Sequence, residues 1–506
     1  MNTSINYGIY ILNLGRFAKA KMLRFSDTER MSLRFFGKFI QSKYKKLFAA
    51  FLFALIYTGN SYSQQDLTIH LMPVIPQSNY TNPAFKPVPK WYFGFPALSS
   101  FYIGVGHSGF VYKDLIHRRF DDSLEVQMDN IINKLGKKNY LSADITEEIL
   151  SFGIKVKKNF FNFSITEKIS FRFGYPYELI SLIWKGNGQY VGQTADFSGI
   201  GINAIHYREY AVGYARDINN KIVVGGRLKY LQGLMNVCTR RNKINVDINE
   251  EDFAHTANTD FLVNASLPPI LFVKLDSIKG NDKLPYFDAK SYFLNDDNKG
   301  FGIDIGGYFK YNNKFSFGAS ILDLGYIRWK EHTYNYTSSV ESFTFDGVDI
   351  NQFLGKNDSM IKVKFNDILD SLADIFKVKE TKNSYWSPLT TKLYLTGIYS
   401  LTPRDKVGLL VKSEFFNKGI HSALTVSYNK WFFNMLSATA SYSIMNRGYM
   451  NLGFGLALNL GPFQTYVLSD NFYSLLAPER TRNVNVHFGF NFIFGYKIKK
   501  VGKPKF

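Results

Sequence analysis

The sequence predicts an all-β fold: a transmembrane, outer-membrane β-barrel of about 14 antiparallel strands, with 12 to 16 as the bounds. Three observations carry that reading. Aromatic residues make up 17% of the chain, chiefly 47 Phe and 33 Tyr, which suit strands better than helices. Period-two alternation recurs in runs of about 9–11 residues, the length a tilted strand needs to cross a bilayer. A short apolar segment with a basic flank precedes them all, in the pattern of an export signal.

That segment is "LFAAFLFALIY", Leu47 to Tyr57, with "QSKYKK" before it and "TGNSYSQQD" after it. Charged n-region, short h-region and small residues at Ser61 and Ser63 together read as a signal peptide cleaved after Ser63, with Met31 as the expected start. Residues 1–63 hold 10 Lys and Arg against 2 Asp and Glu, so the mature chain keeps 51 against 39. Such a modest excess on an exported chain is no nucleic-acid footprint, and no nucleic acid is expected as a partner. Mean hydropathy is −0.15, and no run of about 18 apolar residues exists to form a spanning helix. Cys238 stands alone, so no internal disulfide is available. No Cys lies at the expected cleavage site, which removes a lipoprotein anchor.

Alternation is clearest near the C-terminus. In "VNVHFGFNFIFGY" one face is Val484, Val486, Phe488, Phe490, Phe492, Phe494 and Tyr496; the other is Asn485, His487, Gly489, Asn491, Ile493 and Gly495. "NLGFGLALNL", "ISFRFGY" and "MLSATASYSI" repeat the arrangement. A soluble sandwich also alternates, but its polar face meets water and is rich in Lys, Glu and Thr. Here the polar faces are Gly, Asn, Ser and Ala, small enough to line a crowded interior. Backbone groups in lipid must all be paired, which for strands requires a closed barrel.

Turn chemistry at "TEK" (166–168), "YNNK" (311–314), "TPRDK" (402–406), "NKG" (417–419) and "NRG" (446–448) separates the hairpins. It places strands near 91–105, 151–158, 160–166, 169–176, 196–206, 209–216, 221–231, 300–310 and 314–323. The rest fall near 390–400, 406–414, 420–429, 433–445, 449–460, 462–469 and 484–496. The domain organisation is an export region at 1–63, a ribbon at 64–90, a barrel at 91–496 and a basic tail at 497–506. Insertions at 111–150, 232–299 and 330–388 interrupt the barrel. The first carries a helical face of Leu124, Met128, Ile131 and Leu135 behind an Asp122/Ser123 cap. The last carries one of Phe365, Ile368, Leu369, Leu372 and Phe376. These helices either pack over a barrel mouth or take part in binding.

The ribbon at 64–90, which ends in "PQSNYTNPAFKPVPK", cannot be helix in that stretch; Pro73, Pro76, Pro83, Pro87 and Pro89 remove donors, fix φ and prevent pairing with the wall. Asn79 and Asn82 supply turn hydrogen bonds. It either sits inside the barrel as a hatch or braces the first strand at the rim.

No chemistry-bearing motif appears. The eight His show no helical zinc spacing, and there is no nucleophile elbow, Walker loop or dinucleotide fingerprint. No catalytic, cofactor-binding or metal-binding residue is expected, and no cofactor. Gly225-Gly226 reads as a strand bend. Arg172, Arg227 and Lys229 fall on inner faces, either as a polar conduit or as members of a salt-bridge network filling the interior. "YPYELISLIW" offers Tyr177, Leu179, Ile183 and Trp184 for a hydrophobic pocket beneath the insertions.

"IPQSNYTNPAF", "FGFPALSSFYIGVGHSGF", "NYLSADITEEILSFGIKVKKNFFNFSITEKISFRFGYP", "GGRLKYLQG" and "LNLGPFQTYVLSDN" resemble a family of Bacteroidota outer-membrane proteins, domain of unknown function 5723. More loosely the chain is similar to FadL-type barrels and to the type IX secretion protein PorV. That resemblance implies a barrel of 14 strands and an "NPA" element, here Asn82, Pro83 and Ala84. It also implies an N-terminal hatch and lateral passage of hydrophobic molecules into the membrane, although the insertions depart from those relatives. "HFGFNFIF", with Gly489, Phe490, Phe492 and Phe494, resembles the assembly signal of outer-membrane barrels, and a basic tail follows it.

The expected function is therefore non-enzymatic: a barrel of the cell outer membrane passing small hydrophobic molecules. The alternative is a non-conducting scaffold for a surface or secretion complex; a lipid-modifying enzyme is a third. Expected partners are outer-membrane lipid, the barrel-assembly machinery during biogenesis, and a hydrophobic small molecule or such a complex.

Overall fold

The computed structural model describes residues 66–268, 289–338, 342–345, 378–416, 419–432, 435–445 and 448–495. The export region, the basic tail and the helical face at 365–376 lie outside these residues. Fourteen antiparallel strands form the wall. The first, β1, runs in two pieces, Trp91–Gly94 and Phe101–His107. Then come β2 (Lys138–Val156), β3 (Asn159–Pro176), β4 (Gly201–Asp217), β5 (Ile222–Asn242), β6 (Lys299–Lys310) and β7 (Phe315–Trp329). The second half is β8 (Thr391–Ser400), β9 (Asp405–Phe416), β10 (Gly419–Phe432), β11 (Leu436–Met445), β12 (Gly448–Leu460), β13 (Phe463–Ser469) and β14 (Asn483–Phe494).

Each strand pairs with its neighbours in sequence, and β1 pairs with both β2 and β14, so the sheet closes on itself. Closure leaves no unpaired edge, the condition under which a strand can face hydrocarbon. The pattern of sides completes the case. Outward positions such as Val212, Leu228, Ile305, Phe317, Val426, Val467 and Phe490 are exposed. Inward positions such as Ser164, Thr425, Ser427, Thr439, Ser443 and Asn491 are buried. Apolar outside and polar inside inverts the arrangement of a water-soluble protein and matches a lipid-facing wall. Among the described residues no helix is long and apolar enough to cross a membrane.

Several boundaries differ from the sequence reading for identifiable reasons. "TEK" is not a turn: β3 runs unbroken through it, with Lys168 inward on Glu209 (2.7 Å) and Glu167 outward on Arg208 and His206 (both 2.7 Å). Adjacent charges pointing to opposite faces, each paired sideways, mimic a polar turn in one dimension. The segments 160–166 and 169–176 are thus one strand, as are 196–206 and 209–216. β2 likewise begins at Lys138 inside the expected 111–150 insertion, because Ser142, Asp144, Thr146 and Glu148 form its inward face. The insertion keeps a short helix, Met128–Lys134, behind a small hairpin of Ile116–Arg118 and Leu124–Val126.

Beyond the wall, the upper half of β5 pairs with Phe261–Ser266, which pairs with Thr333–Ser338, which pairs with Val378–Thr381. A separate four-stranded sheet (Thr194–Asp196, Asn245–Ile248, His255–Asn258, Ser342–Phe345) joins the same end. The long connections therefore share one end of the barrel, and the other end carries short turns alone.

A lipid-facing charge tests this orientation. Leu228→Arg on outward β5 should lower unfolding stability in phospholipid by about 2–4 kcal/mol, the cost of a midplane cation on a barrel wall. Equilibrium denaturation followed by tryptophan fluorescence measures it.

Candidate functional site

Residues 66–86 lie within the strand cylinder, touching inward side chains from opposite sides of it. The stretch starts with a one-turn helix, Leu67–His70, entirely buried. The Asp470 carboxylate, just past β13, accepts hydrogen bonds from the backbone N–H of Leu67 (3.3 Å) and Thr68 (2.7 Å). These are donors that the first turn of a helix leaves unsatisfied. Thr68 Oγ1 meets Ser441 Oγ on β11 at 3.1 Å. The His70 ring is fully buried. It bridges Thr81 (2.8 Å) and Thr396 on β8 (2.5 Å), and stacks on Tyr394.

A short 3-10 turn, Pro76–Tyr80, follows. Gln77 and Asn491 on β14 exchange amide hydrogen bonds (2.8 and 3.1 Å), and Gln77 also donates to Glu148 on β2 (2.9 Å). The Tyr80 hydroxyl donates to the other Glu148 oxygen, and its ring lies 4.4 Å from the Arg227 guanidinium. Asn79 accepts from Asn162 on β3 (2.9 Å) and donates to the carbonyls of Pro83 and Phe85.

Asn82, Pro83 and Ala84 make a tight turn, with Ala84 N–H donating to Asn82 Oδ1 at 2.9 Å. Asn82 Nδ2 donates to the Gly307 carbonyl on β6 (3.2 Å) and the Ala319 carbonyl on β7 (3.4 Å). Glycine clears the ground for this turn. A Cβ on Gly225 would land on the Pro83 carbonyl, and one on Gly306 on the Asn82 side-chain oxygen. Gly225-Gly226, read from sequence as a strand bend, thus includes a position where another backbone presses on the wall.

Apolar residues of the same stretch fill two sockets. Leu67 and Leu71 pack with Leu322, Tyr394, Leu410, Ala423 and Met445. Ile69, Met72, Val74 and Ile75 pack with Ala457, Tyr466 and Leu468.

Arg227 and Lys229 stand on the inner face of β5, each at most 3% exposed. Lys229 Nζ reaches Asp304 (2.8 Å) on β6, Asp323 (2.5 Å) on β7 and Glu209 (3.4 Å) on β4. Arg227 contacts Glu209 (3.5 Å) and Asp304 (3.7 Å), and donates to Ser164 (2.8 Å). Lys392 on β8 closes the chain on Asp323 at 3.2 Å. Arg172 on β3 lies between Asp144 on β2 (3.9 Å) and Glu414 on β9 (3.8 Å), and Lys412 pairs with Glu414 (2.8 Å). The β3 to β9 contact joins walls six strands apart, so side chains cross the lumen at this level.

The pocket residues do not come together. Tyr177 opens the helix Tyr177–Lys185, and Leu179 packs toward Tyr190, Ala195, Phe197 and Ile248. Ile183 and Trp184 instead are half exposed, 52% and 53%, because the helix turns that face away from the small loop core. Gly489 faces inward beneath the Ser99 carbonyl, while Phe490, Phe492 and Phe494 face outward; Phe494 stacks on Trp91 at 3.8 Å. Sequence reasoning missed Gln77, Glu148, Glu209, Asp304, Asp323, Lys392, Glu414 and Asp470. Strand parity marks most of the carboxylates as inward, but which cation each meets depends on register across strands.

A family model described as "Family of unknown function (DUF5723)" matches residues 83–470. The chain belongs to that family. No curated protein matches it. Among solved structures, the Ralstonia pickettii toluene transporter TbuX is similar at 8% identity, covering 87% of this chain and 97% of that one, with a TM-score of 0.38. A P. putida toluene transporter, TodX, is similar at 10% identity with the same coverages and score. A Pseudomonas aeruginosa FadL homologue is similar at 10% identity, covering 83% and 94%, with a TM-score of 0.36. Likeness at this level carries nothing about cargo, and the strand pairings alone establish the fold of this DUF5723 member.

Two substitutions test the interior. Gly306→Leu should push Asn82 off the wall, destabilising the docked segment by about 1–3 kcal/mol as overpacking does. Limited chymotryptic digestion should then cut after Phe85, which is buried in the docked segment, while the barrel stays heat-modifiable on gels. Lys229→Met leaves Asp304 and Asp323 without their shared cation, and should cost about 3–5 kcal/mol in the unfolding free energy.

Proposed function

We propose that this DUF5723 protein is a barrel of the bacterial outer membrane that passes small hydrophobic molecules, with residues 66–90 acting as a displaceable hatch. One observation carries the reading. Residues 66–86 of the ribbon pair with no strand of the wall and instead seat Leu67, Ile69, Leu71, Met72, Val74 and Ile75 in two apolar sockets. Were it to withdraw, Leu322, Tyr394, Leu410, Met445, Tyr466 and Leu468 would line an apolar lumen wall suited to a hydrophobic guest. The Asn82–Pro83–Ala84 turn is the anchor of this hatch, held to β6 and β7 by hydrogen bonds of 3.2 and 3.4 Å that exchange readily.

A second reading has its own observation. Arg172 and Glu414 meet across the lumen on strands β3 and β9, and a lumen so bridged suits a non-conducting scaffold for a surface complex. Deleting residues 66–86 separates the two. A hatch predicts that the deletion raises single-channel conductance in planar bilayers and speeds uptake of a hydrophobic dye into proteoliposomes. Unchanged conductance and uptake from a folded, heat-modifiable barrel would establish the scaffold instead.

A further inference from the structure

The short-turn end of the barrel carries a charge pattern that neither passage nor the hatch uses. Its segments, 86–90, 155–158, 216–222, 309–315, 400–406 and 430–432, contain twelve Lys or Arg against two Asp. The cations are neighbours in space because backbone hydrogen bonds stitch one turn to the next. Lys155 N–H donates to the Lys90 carbonyl (2.7 Å), and Asp217 N–H to that of Lys158 (3.0 Å). Lys310 N–H donates to the Lys221 carbonyl (2.7 Å), Ser400 N–H to that of Lys314 (2.8 Å), and Trp431 N–H to that of Arg404 (2.9 Å). The result is one continuous basic arc from β1 to β10. Both acids are already taken, Asp217 by Lys86 and Asp405 by Lys430 at 3.1 Å. Among the described residues no carboxylate pairs with Lys157, Lys158, Arg216, Lys221, Lys310 or Lys314, and all six are exposed.

Like charges crowded on one rim repel, and that standing cost is relieved by an anionic surface. The direction of the side chains says what kind. Lys157, Lys158, Lys221 and Lys314 sit in the turns themselves, outside the strands. Lys310 and Lys406 share the inward parity of Asp304 and Lys412, and Lys155 Nζ reaches inward to the Val88 carbonyl at 3.1 Å. Of the arc, Arg216 and Lys430 take the outward parity. Cations serving lipid headgroups would lie on the outer surface of the wall, where only Arg216 and Lys430 of the strand-borne cations named here stand.

We infer that the short-turn end, periplasmic in such barrels, is a docking surface for a protein partner with an acidic face that approaches along the barrel axis. The arc is too long for one small anion, whereas an acidic protein surface meets several turns at once and gains by avidity across them. Binding of this kind depends steeply on salt, since exposed charges are screened within about 8 Å at physiological ionic strength. The inference is independent of what crosses the lumen.

The test uses the full chain in phosphatidylcholine nanodiscs and a fluorescent poly-L-glutamate of 20 residues as probe. One variant combines Lys157→Glu, Lys158→Glu, Lys221→Glu and Lys314→Glu. A control reverses as many charges at the long-loop end: Lys113→Glu, Lys243→Glu, Lys330→Glu and Lys382→Glu. Anisotropy titrations at low salt should show binding that the rim variant weakens by about tenfold or more, as four lost pairings of ordinary strength imply. The control should shift it by less than about twofold, the scale of long-range screened charge. Equal weakening by both variants would show that net charge alone binds the probe and overturn the inference. So would an arc that leaves poly-glutamate unbound but makes the barrel recruit vesicles of phosphatidylglycerol, which would assign these cations to lipid headgroups.

Discussion

Everything in this molecule follows from one constraint: a strand in hydrocarbon has no water to satisfy its backbone, so the sheet must close. β1 discharges that obligation by pairing with β14 on one side and β2 on the other, although it is interrupted between Gly94 and Phe101. At the interruption, Phe95 and Leu98 turn outward while Ser99 and Ser100 turn in, where Ser100 meets His487 at 2.7 Å. Even a break in the wall thus keeps its apolar groups on the lipid side and its polar groups inside. Closure then creates a second obligation. A lumen walled by inward Ser, Thr, Asn, Lys and Asp cannot be left dry and unpaired, since each unpaired polar group costs free energy.

The lumen meets that obligation twice over. At one level charge answers charge: Lys229 touches three carboxylates from three different strands, and Arg172 reaches to the far wall. At another level the ribbon supplies the missing partners from outside the wall. Glu148 illustrates the difference, because its two oxygens take donors from Gln77 and Tyr80 of the ribbon. Tyr80 also stacks on Arg227, so ribbon and ion-pair layer form one connected polar structure rather than two independent fillings. A change at either is felt at the other.

How much of this was legible beforehand depends on the range of the physics involved. Alternation needs only neighbours in sequence, so the faces of β14 and β12 and the inward placement of Arg172, Arg227 and Lys229 could be read directly. The ends of β2, β3 and β4 could not, because Glu167 and Lys168 look like a turn unless Glu209, Arg208 and His206 on the adjacent strand are known. The ribbon is the extreme case. Its composition rules out a strand, but that reading misses the single helical turns Leu67–His70 and Pro76–Tyr80, the second opened by a proline at its first position and lying where no helix is expected. The groups that hold it, Asp470 and Asn491, lie some 400 residues further on. Gly306 and Gly225 carried a readable hint, since a glycine inside a strand often marks close approach of another backbone. The hint names no visitor. The apolar pocket failed for a different reason: a helical stripe shows that a face is apolar, not that something covers it, and Ile183 and Trp184 face outward.

The chemistry of the ribbon's two sides bears on what kind of filler it is. A permanent plug is best built like a domain core, with apolar packing throughout and few polar groups needing exact partners. This ribbon instead divides its contacts. Its apolar side chains enter sockets whose linings would stay apolar without it, while its polar atoms bond to Ser441, Thr396, Asn162 and Asn491, side chains that water can satisfy equally well. Losing the polar half to water therefore costs little net free energy, because protein–water bonds replace protein–protein ones. Losing the apolar half costs in proportion to the area uncovered, unless another apolar body takes its place. The opposing term is thus one that a hydrophobic guest can offset and that a polar solute cannot. On the hatch reading proposed above, an equilibrium of that form would couple opening to the arrival of a hydrophobic guest, without any separate sensor.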